Sequence, residues 1–355
     1  MELLLFRHDE FDKLYGCGGF NADKIPLEDR RNIVNGSILI VLFFIFQILY
    51  IPCMVSIYKK MDDNTCYKLM FFIGILDMFS MFLNALETGI LGIIGAVYCD
   101  YPLMIYTSGS FGMFLWFAET SAEMLLAINR CIELLKPELA NAIFSGNKLL
   151  CLFAMPICYA FAVAMFTKPI LFSAIYLSWF FNPYAGYTDN FGKNYNNTLN
   201  DVHNLIVIFG LFAVYLLFSA ILCWQTYTMS SGQQTYHPSW TQKMSFLQVI
   251  IISLIHSITT VIYTSMQFVQ ISKIYIIVGT YAWFLTNGCP PLVYLLLNKG
   301  IRDDCANFGR AIFRFLRNAN NSVSNGPIAM AWMTPNYAGN NANNRNFYNN
   351  NLSQQ

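Results

Sequence analysis

The stretch FLWFAETSAEMLLAINRCIELLKP, residues 114–137, sets Glu119, Glu123 and Arg130 into a largely apolar run. Trp116, Glu119, Glu123 and Arg130 follow one another at intervals of three, four and seven, which places all four on one face of an α-helix. A charged side chain at the centre of a bilayer costs at least about 2.5–3.5 kcal/mol. That face must therefore turn toward other helices, and the stretch predicts a helix inside a membrane-embedded bundle. Lys136-Pro137 ends it, because the residue before a proline is biased away from helical geometry.

The rest of the chain has the same character. Of 355 residues, 56% are hydrophobic and 12% charged, the charged share being about half the roughly 25% of a soluble domain. Seven apolar stretches are long enough for a hydrocarbon core about 30 Å thick: residues 33–58, 68–97, 103–129, 149–167, 204–229, 244–269 and 274–297. No internal repeat divides them into two similar halves, as in many transporters. The fold class is an all-α membrane protein, a seven-transmembrane helix bundle behind a segment over 1–32. MELLLFRHDE lacks the apolar core of a secretory signal, so the first span is expected to act as its own targeting signal.

Orientation follows from Lys and Arg in the loops, which favour the cytoplasm. With the amino terminus outside, the inner loops hold Lys59, Lys60, Lys68, Arg130, Lys136, Lys148 and Lys243, against Lys168, Lys193 and Lys273 outside. This distribution predicts an extracellular amino terminus and a cytoplasmic carboxyl terminus. The sequon at Asn196 then falls in the second outer loop, where glycosylation is expected. Residues 298–317 place Ile301, Phe308, Ile312, Phe315 and Leu316 near one helical face, the pattern of an amphipathic interfacial helix. Cys305 on that helix is either a palmitoylation site or a free thiol at the membrane edge. The Asn-rich tail, 318–355, is read as disordered.

Further ionisable and amide groups lie inside the spans. By a rise of about 1.5 Å per residue, Asp77, Glu119 and Asn287 reach a similar depth near the midplane. With Glu123 they are expected to form a buried polar cluster, either holding a cation or shared proton or simply protonated and hydrogen-bonded to backbone. Glu87, Trp116, His256 and Trp283 are candidates for lining a ligand cavity; for His256 an interhelical hydrogen bond is the competing reading. Net charge is +1, which gives no field for nucleic acid. The ten cysteines show no CxxC spacing, so no metal site or cofactor is expected from them. His203 and Asp201 are read as sharing a loop with no nucleophile beside them, so no enzyme activity is expected.

In YGCGG (15–19), LYIPC (49–53), CYKLMFFIGILD (66–77), GAVYCDYP (95–102), LAINRCIELLKPELANAIFSG (126–146), FTKPILF (166–172), WFFNPY (179–184) and PLVYLL (291–296) the sequence resembles the nematode serpentine chemoreceptors of class T, seven-span receptors similar to G-protein-coupled receptors. The resemblance implies a GPCR-like chemoreceptor in the plasma membrane of sensory neurons and their cilia. It would detect a small-molecule cue and activate a heterotrimeric G protein. Asn129-Arg130-Cys131 then resembles the Asp-Arg-Tyr switch of rhodopsin-like receptors, and Pro291 and Tyr294 the end of their Asn-Pro-x-x-Tyr motif. Asn129 is not acidic, so the usual charge lock on Arg130 is expected to be missing. Rhodopsin-like receptors tie the third helix to the second outer loop by a disulfide, but residues 168–202 hold no cysteine. With Cys17 the other cysteine placed outside, a Cys17–Cys99 bridge is expected instead. The competing functions are a seven-span ligand-gated ion channel of the insect odorant-receptor kind, in the opposite orientation, and a proton-coupled transporter.

Overall fold

Where lipid is the solvent, a spanning chain must satisfy its backbone polar groups internally, and here it does so as helices. The computed structural model describes residues 1–18, 25–62, 64–186, 195–230, 240–268 and 272–324. The first span is Ile33–Lys59; the second is continuous through Thr65–Met81, Phe82–Glu87 and Thr88–Ile94; the third is Pro102–Leu135. The fourth is Gly146–Phe166, the fifth Thr198–Ser230 and the sixth Trp240–Phe268. The seventh is broken into Lys273–Gly288 and Pro290–Leu297. Pro290 and Pro291 cause the break, since proline lacks an N–H and is favoured in the first turn of a helix. The expected seven-helix bundle is therefore the fold, with a proline break in its last member.

The third span is central and packs on the second, fourth, fifth and sixth. Outward-facing Ile48, Phe161, Phe209 and Ile258 are exposed, as a lipid-facing surface requires. The first and second spans cross closely at Gly36 and Gly89: a Cβ on Gly36 would lie 2.6 Å from the Gly89 carbonyl oxygen. Small residues are what allow such an approach between membrane helices. Within the second span, Phe82–Glu87 is a π-helical turn, a form that often marks functional positions. Thr88 Oγ1 donates to the Leu83 carbonyl at 2.8 Å, back across that widened turn.

Two corrections concern the fifth span. It begins at Thr198, so Asp201 and His203 are helical and not in a loop. His203 is buried, with Nε2 2.8 Å from Thr120 Oγ1 and Nδ1 3.3 Å from Tyr159 Oη, and its ring stacks on Phe117. It joins the third, fourth and fifth spans.

One end of the bundle is roofed. Short helices Glu2–Phe6 and His8–Tyr15 lead to Cys17, which is disulfide-bonded to Cys99 just before the third span. Tyr15 is buried against Tyr106, and Tyr195 Oη donates to the Leu14 carbonyl at 2.9 Å. Arg30 Nη1 and Asp100 Oδ2 pair at 3.0 Å beside the bridge. An antiparallel hairpin, β1 (Leu171–Ser173) and β2 (Ser178–Phe180), fills the centre. Its Phe172, Leu177 and Trp179 are buried, and Trp179 Nε1 donates to Thr88 Oγ1 at 2.8 Å.

The hairpin reaches the third span because residue 109 has no side chain: a Cβ there would lie 1.6 Å from the Ile170 carbonyl oxygen. Gly109→Ala is expected to cost about 1–3 kcal/mol through overpacking, read as a lower thermal midpoint of the purified protein. Gly112→Ala, whose methyl would meet only side-chain atoms at 3.2 Å or more, should cost less. Equal midpoints for the two variants would contradict this account of the roof.

At the opposite end the eighth helix, Lys299–Ser324, follows the seventh span and continues through 318–324, a stretch assigned from sequence to the tail. Asn298 Oδ1 accepts from the Ile301 backbone N–H at 3.2 Å, and Ile301 is buried. Asp304 accepts from Lys60 and from Ser56 Oγ, and these hydrogen bonds hold its carboxyl below the usual range. Cys305 Sγ points at Cys53 Sγ of the first span, 3.9 Å away. Residues 309–355 form a separate unit; in it Ile312, Phe313, Phe315 and Leu316 are exposed. The remainder of the tail, 325–355, lies outside the described residues.

Candidate functional site

The polar residues singled out in sequence meet in the middle of the bundle. Asn287 is the hub: its Nδ2 donates to Glu119 Oε1 at 2.7 Å and Asp77 Oδ1 at 3.3 Å. Its Oδ1 accepts from Asn84 Nδ2 at 2.6 Å. Asp77 also accepts from Tyr50 Oη, and Glu119 from Ser80 Oγ at 3.3 Å. All of these side chains are buried. The first, second, third and seventh spans are thereby joined at one depth.

Glu123 lies one turn from Glu119 and faces the sixth span, where His256 Nε2 is 2.8 Å from Glu123 Oε1 and 3.4 Å from Glu119 Oε1. The 2.8 Å approach is close, but the atoms are not aligned for a hydrogen bond. Among the described residues neither Glu123 oxygen nor either His256 nitrogen has a hydrogen-bond partner. His256 thus belongs to the interhelical cluster, and its ring stacks with Trp116 at 6.2 Å between centroids.

Above Trp116, toward the roof, is a cavity of about 110 Å³. Its wall includes Trp116, Trp179, Phe181, Tyr263, Met266 and Trp283, with Asn200, Asn204 and Thr259 as polar points. Asn204 Oδ1 accepts from Trp116 Nε1 at 3.1 Å. Of the residues singled out in sequence, Trp116 and Trp283 line this cavity. Glu87 does not: it is half-buried and hydrogen-bonds Ser108 of the third span. Its side chain leaves the second span at the end of the π-helical turn Phe82–Glu87.

Arg130 is buried at the end of the third span remote from the roof, and Nη1 bonds Glu133 Oε2 at 2.6 Å. Glu133 Oε1 accepts from Asn64 Nδ2, also at 2.6 Å, and Asn64 caps the second span through the Cys66 backbone N–H. Asn129 supplies no charge to the arginine; Glu133 does so from the following turn, where the helix brings residues three apart together. Asn129 is buried with neither end of its amide partnered among the described residues. Cys131 Sγ points at the Val214 carbonyl of the fifth span, 3.8 Å away. Pro291 and Tyr294 are buried in the second piece of the seventh span. Asn196 is exposed at the roofed end, immediately before the fifth span.

Sequence reasoning missed Tyr50, Ser80, Asn84 and Glu133. Asn84, seven residues beyond Asp77, and Glu133, three beyond Arg130, carried a helical-spacing signal.

A seven-helix membrane bundle with a roofed cavity, a buried polar core and an arginine closing the central helix defines a protein of the serpentine receptor class. Residues 2–314 match the model of the family described as "Serpentine type 7TM GPCR chemoreceptor Srt", and the chain belongs to that family. It is similar to "Serpentine receptor class T-55" of Caenorhabditis elegans, with 25% identity over 295 residues that cover 82% of this chain and 78% of the relative. It is a multi-pass membrane protein of a receptor family.

Proposed function

We propose that the protein is a chemosensory receptor of the plasma membrane, in the ciliated endings of sensory neurons. In this reading it binds a small molecule in the cavity over Trp116 and activates a heterotrimeric G protein through Asn129, Arg130 and Cys131. The observation that carries the reading is a chain of contacts. Trp116 lines the cavity and stacks on His256, and His256 lies against Glu123 on the helix face that Arg130 terminates. A ligand that moves Trp116 changes the setting of the polar cluster formed by Asp77, Glu119, Glu123 and Asn287. Pro291 and Tyr294 then supply the bend, and Arg130 leaves Glu133 for the G protein.

The roofed end faces the exterior. The loop charges support this orientation, and so does the Cys17–Cys99 bridge, because disulfides persist in oxidising compartments. Exposed Asn196 at that end is then open to glycosylation, and Cys305 at the other is the acylation candidate. The ligand is small and largely apolar. A cavity of about 110 Å³ is of the order of the roughly 150 Å³ apolar cavity that holds benzene, and its few polar points suit one heteroatom.

Expression with a nucleotide-exchange readout, challenged with a panel of small volatile and water-soluble compounds, tests the proposal. Arg130→Ala is expected to lower the maximal response at least tenfold at equal surface level. An unaltered response in Arg130→Ala removes the arginine from coupling. An amino-terminal epitope reached by antibody only after permeabilisation would reverse the orientation and favour the channel reading.

A further inference from the structure

We propose that Glu119, Glu123 and His256 form a binding site for a divalent transition-metal ion of the zinc class, buried beneath the ligand cavity. Their donor atoms lie within 4.8 Å of one another, and all three side chains are buried. Glu119 and Glu123 are one turn apart on the third span, and His256 projects from the sixth. Residues four apart on a helix present two ligands to one ion.

The hydrogen-bond pattern points to a cation. Asp77 is met by Tyr50 and Asn287, and Glu119 by Asn287 and Ser80. By contrast, both Glu123 oxygens and both His256 nitrogens are buried without a hydrogen-bond partner among the described residues. Unsatisfied polar atoms are expensive in hydrocarbon, and His256 Nε2 faces Glu123 Oε1. His256 Nε2 stands 2.8 and 3.4 Å from the nearer glutamate oxygens. Ligand atoms about 2.0–2.1 Å from a tetrahedral ion are roughly 3.3 Å apart, so small side-chain rotations would seat one.

The donor set selects the metal. Two carboxylate oxygens and an imidazole nitrogen suit zinc and the neighbouring first-row ions, whereas calcium and magnesium prefer oxygen alone and copper(I) prefers sulfur. Two carboxylates also neutralise a divalent ion, which removes net charge from the bundle centre. Three protein ligands leave a coordination position open, as in zinc sites that take up water or a small molecule. The ion would tie the third span to the sixth at the level where Trp116 stacks on His256.

The experiment uses the full-length receptor in nanodiscs of synthetic lipid, stripped with a chelator, titrated with Zn²⁺ and assayed for bound zinc and thermal midpoint. The wild type is expected to hold one zinc per chain and to gain thermal stability on loading. Glu123→Gln and His256→Gln should each weaken zinc binding more than tenfold, while Asp77→Asn should retain it. Zinc held equally by wild type, Glu123→Gln and His256→Gln overturns the proposal, as does a wild type that holds none. Should either glutamine variant fail to fold, X-ray absorption of the zinc-loaded wild type decides. Nitrogen and oxygen ligation with one imidazole supports the site, and sulfur ligation overturns it. Zinc binding is read without signalling, so its failure leaves the receptor reading standing, and the reverse holds.

Discussion

Glu133→Gln raises ligand-independent signalling by about tenfold or more. In the structure Glu133 is the partner that holds Arg130, at 2.6 Å, and it is fixed in turn by Asn64. A hydrogen bond to a charged group contributes about 1.5–3 kcal/mol, and each 1.4 kcal/mol is a factor of ten in an equilibrium. If the pair exists only in the resting state, its loss shifts the resting-to-active ratio by at least that factor. Glutamine keeps the volume and the hydrogen bond to Asn64 but turns an amide donor toward Arg130, so the charge and the hydrogen bond to the arginine are both lost. The measurement is basal nucleotide exchange on the G protein at matched surface expression. Basal exchange identical to wild type would mean that the Arg130–Glu133 pair survives activation, and the lock would have to lie elsewhere.

Cys99→Ser lowers the thermal midpoint and the yield of receptor at the cell surface, and Cys17→Ser does the same. The bridge spans 82 residues, and the chain-entropy relation assigns a loop of that length roughly 4–5 kcal/mol. That figure is an upper bound here. The enclosed first and second spans stay helical and inserted when the roof opens, so less freedom is released than from a soluble coil. About 2–4 kcal/mol, the typical range, is the expected loss. Because the residues act as one bond, the double variant should be no less stable than either single one. Additive losses would show that the two serines act through separate contacts and not through a shared bridge.

Much of this architecture could be read from residue spacing. The intervals among Trp116, Glu119, Glu123 and Arg130 fixed a single inward face, and a constant helical rise put Asp77, Glu119 and Asn287 at one depth, where Asn287 bonds both carboxylates. The same reasoning failed at Glu87. Its height along the second span makes it a cavity candidate, and height does not say which way a side chain faces; with Phe82–Glu87 wound as a π-helix, it meets Ser108 instead. The hairpin was illegible because strands of three residues carry too little alternation to be distinguished from loop. Glu133 was overlooked for a different reason. Near the end of a span, an acidic residue reads as an ordinary interfacial charge until its partner's burial is known.

The cavity above Trp116 bears on how a stimulus would travel before it meets the membrane. A volume of about 110 Å³, walled by tryptophan, phenylalanine, tyrosine and methionine, excludes peptides, sugars and long acyl chains on size alone. Compounds that fit have few heavy atoms, and those matched to the mainly aromatic wall carry little hydrogen-bonding capacity. If this cavity is the binding site proposed above, small volatile compounds are among those it can receive.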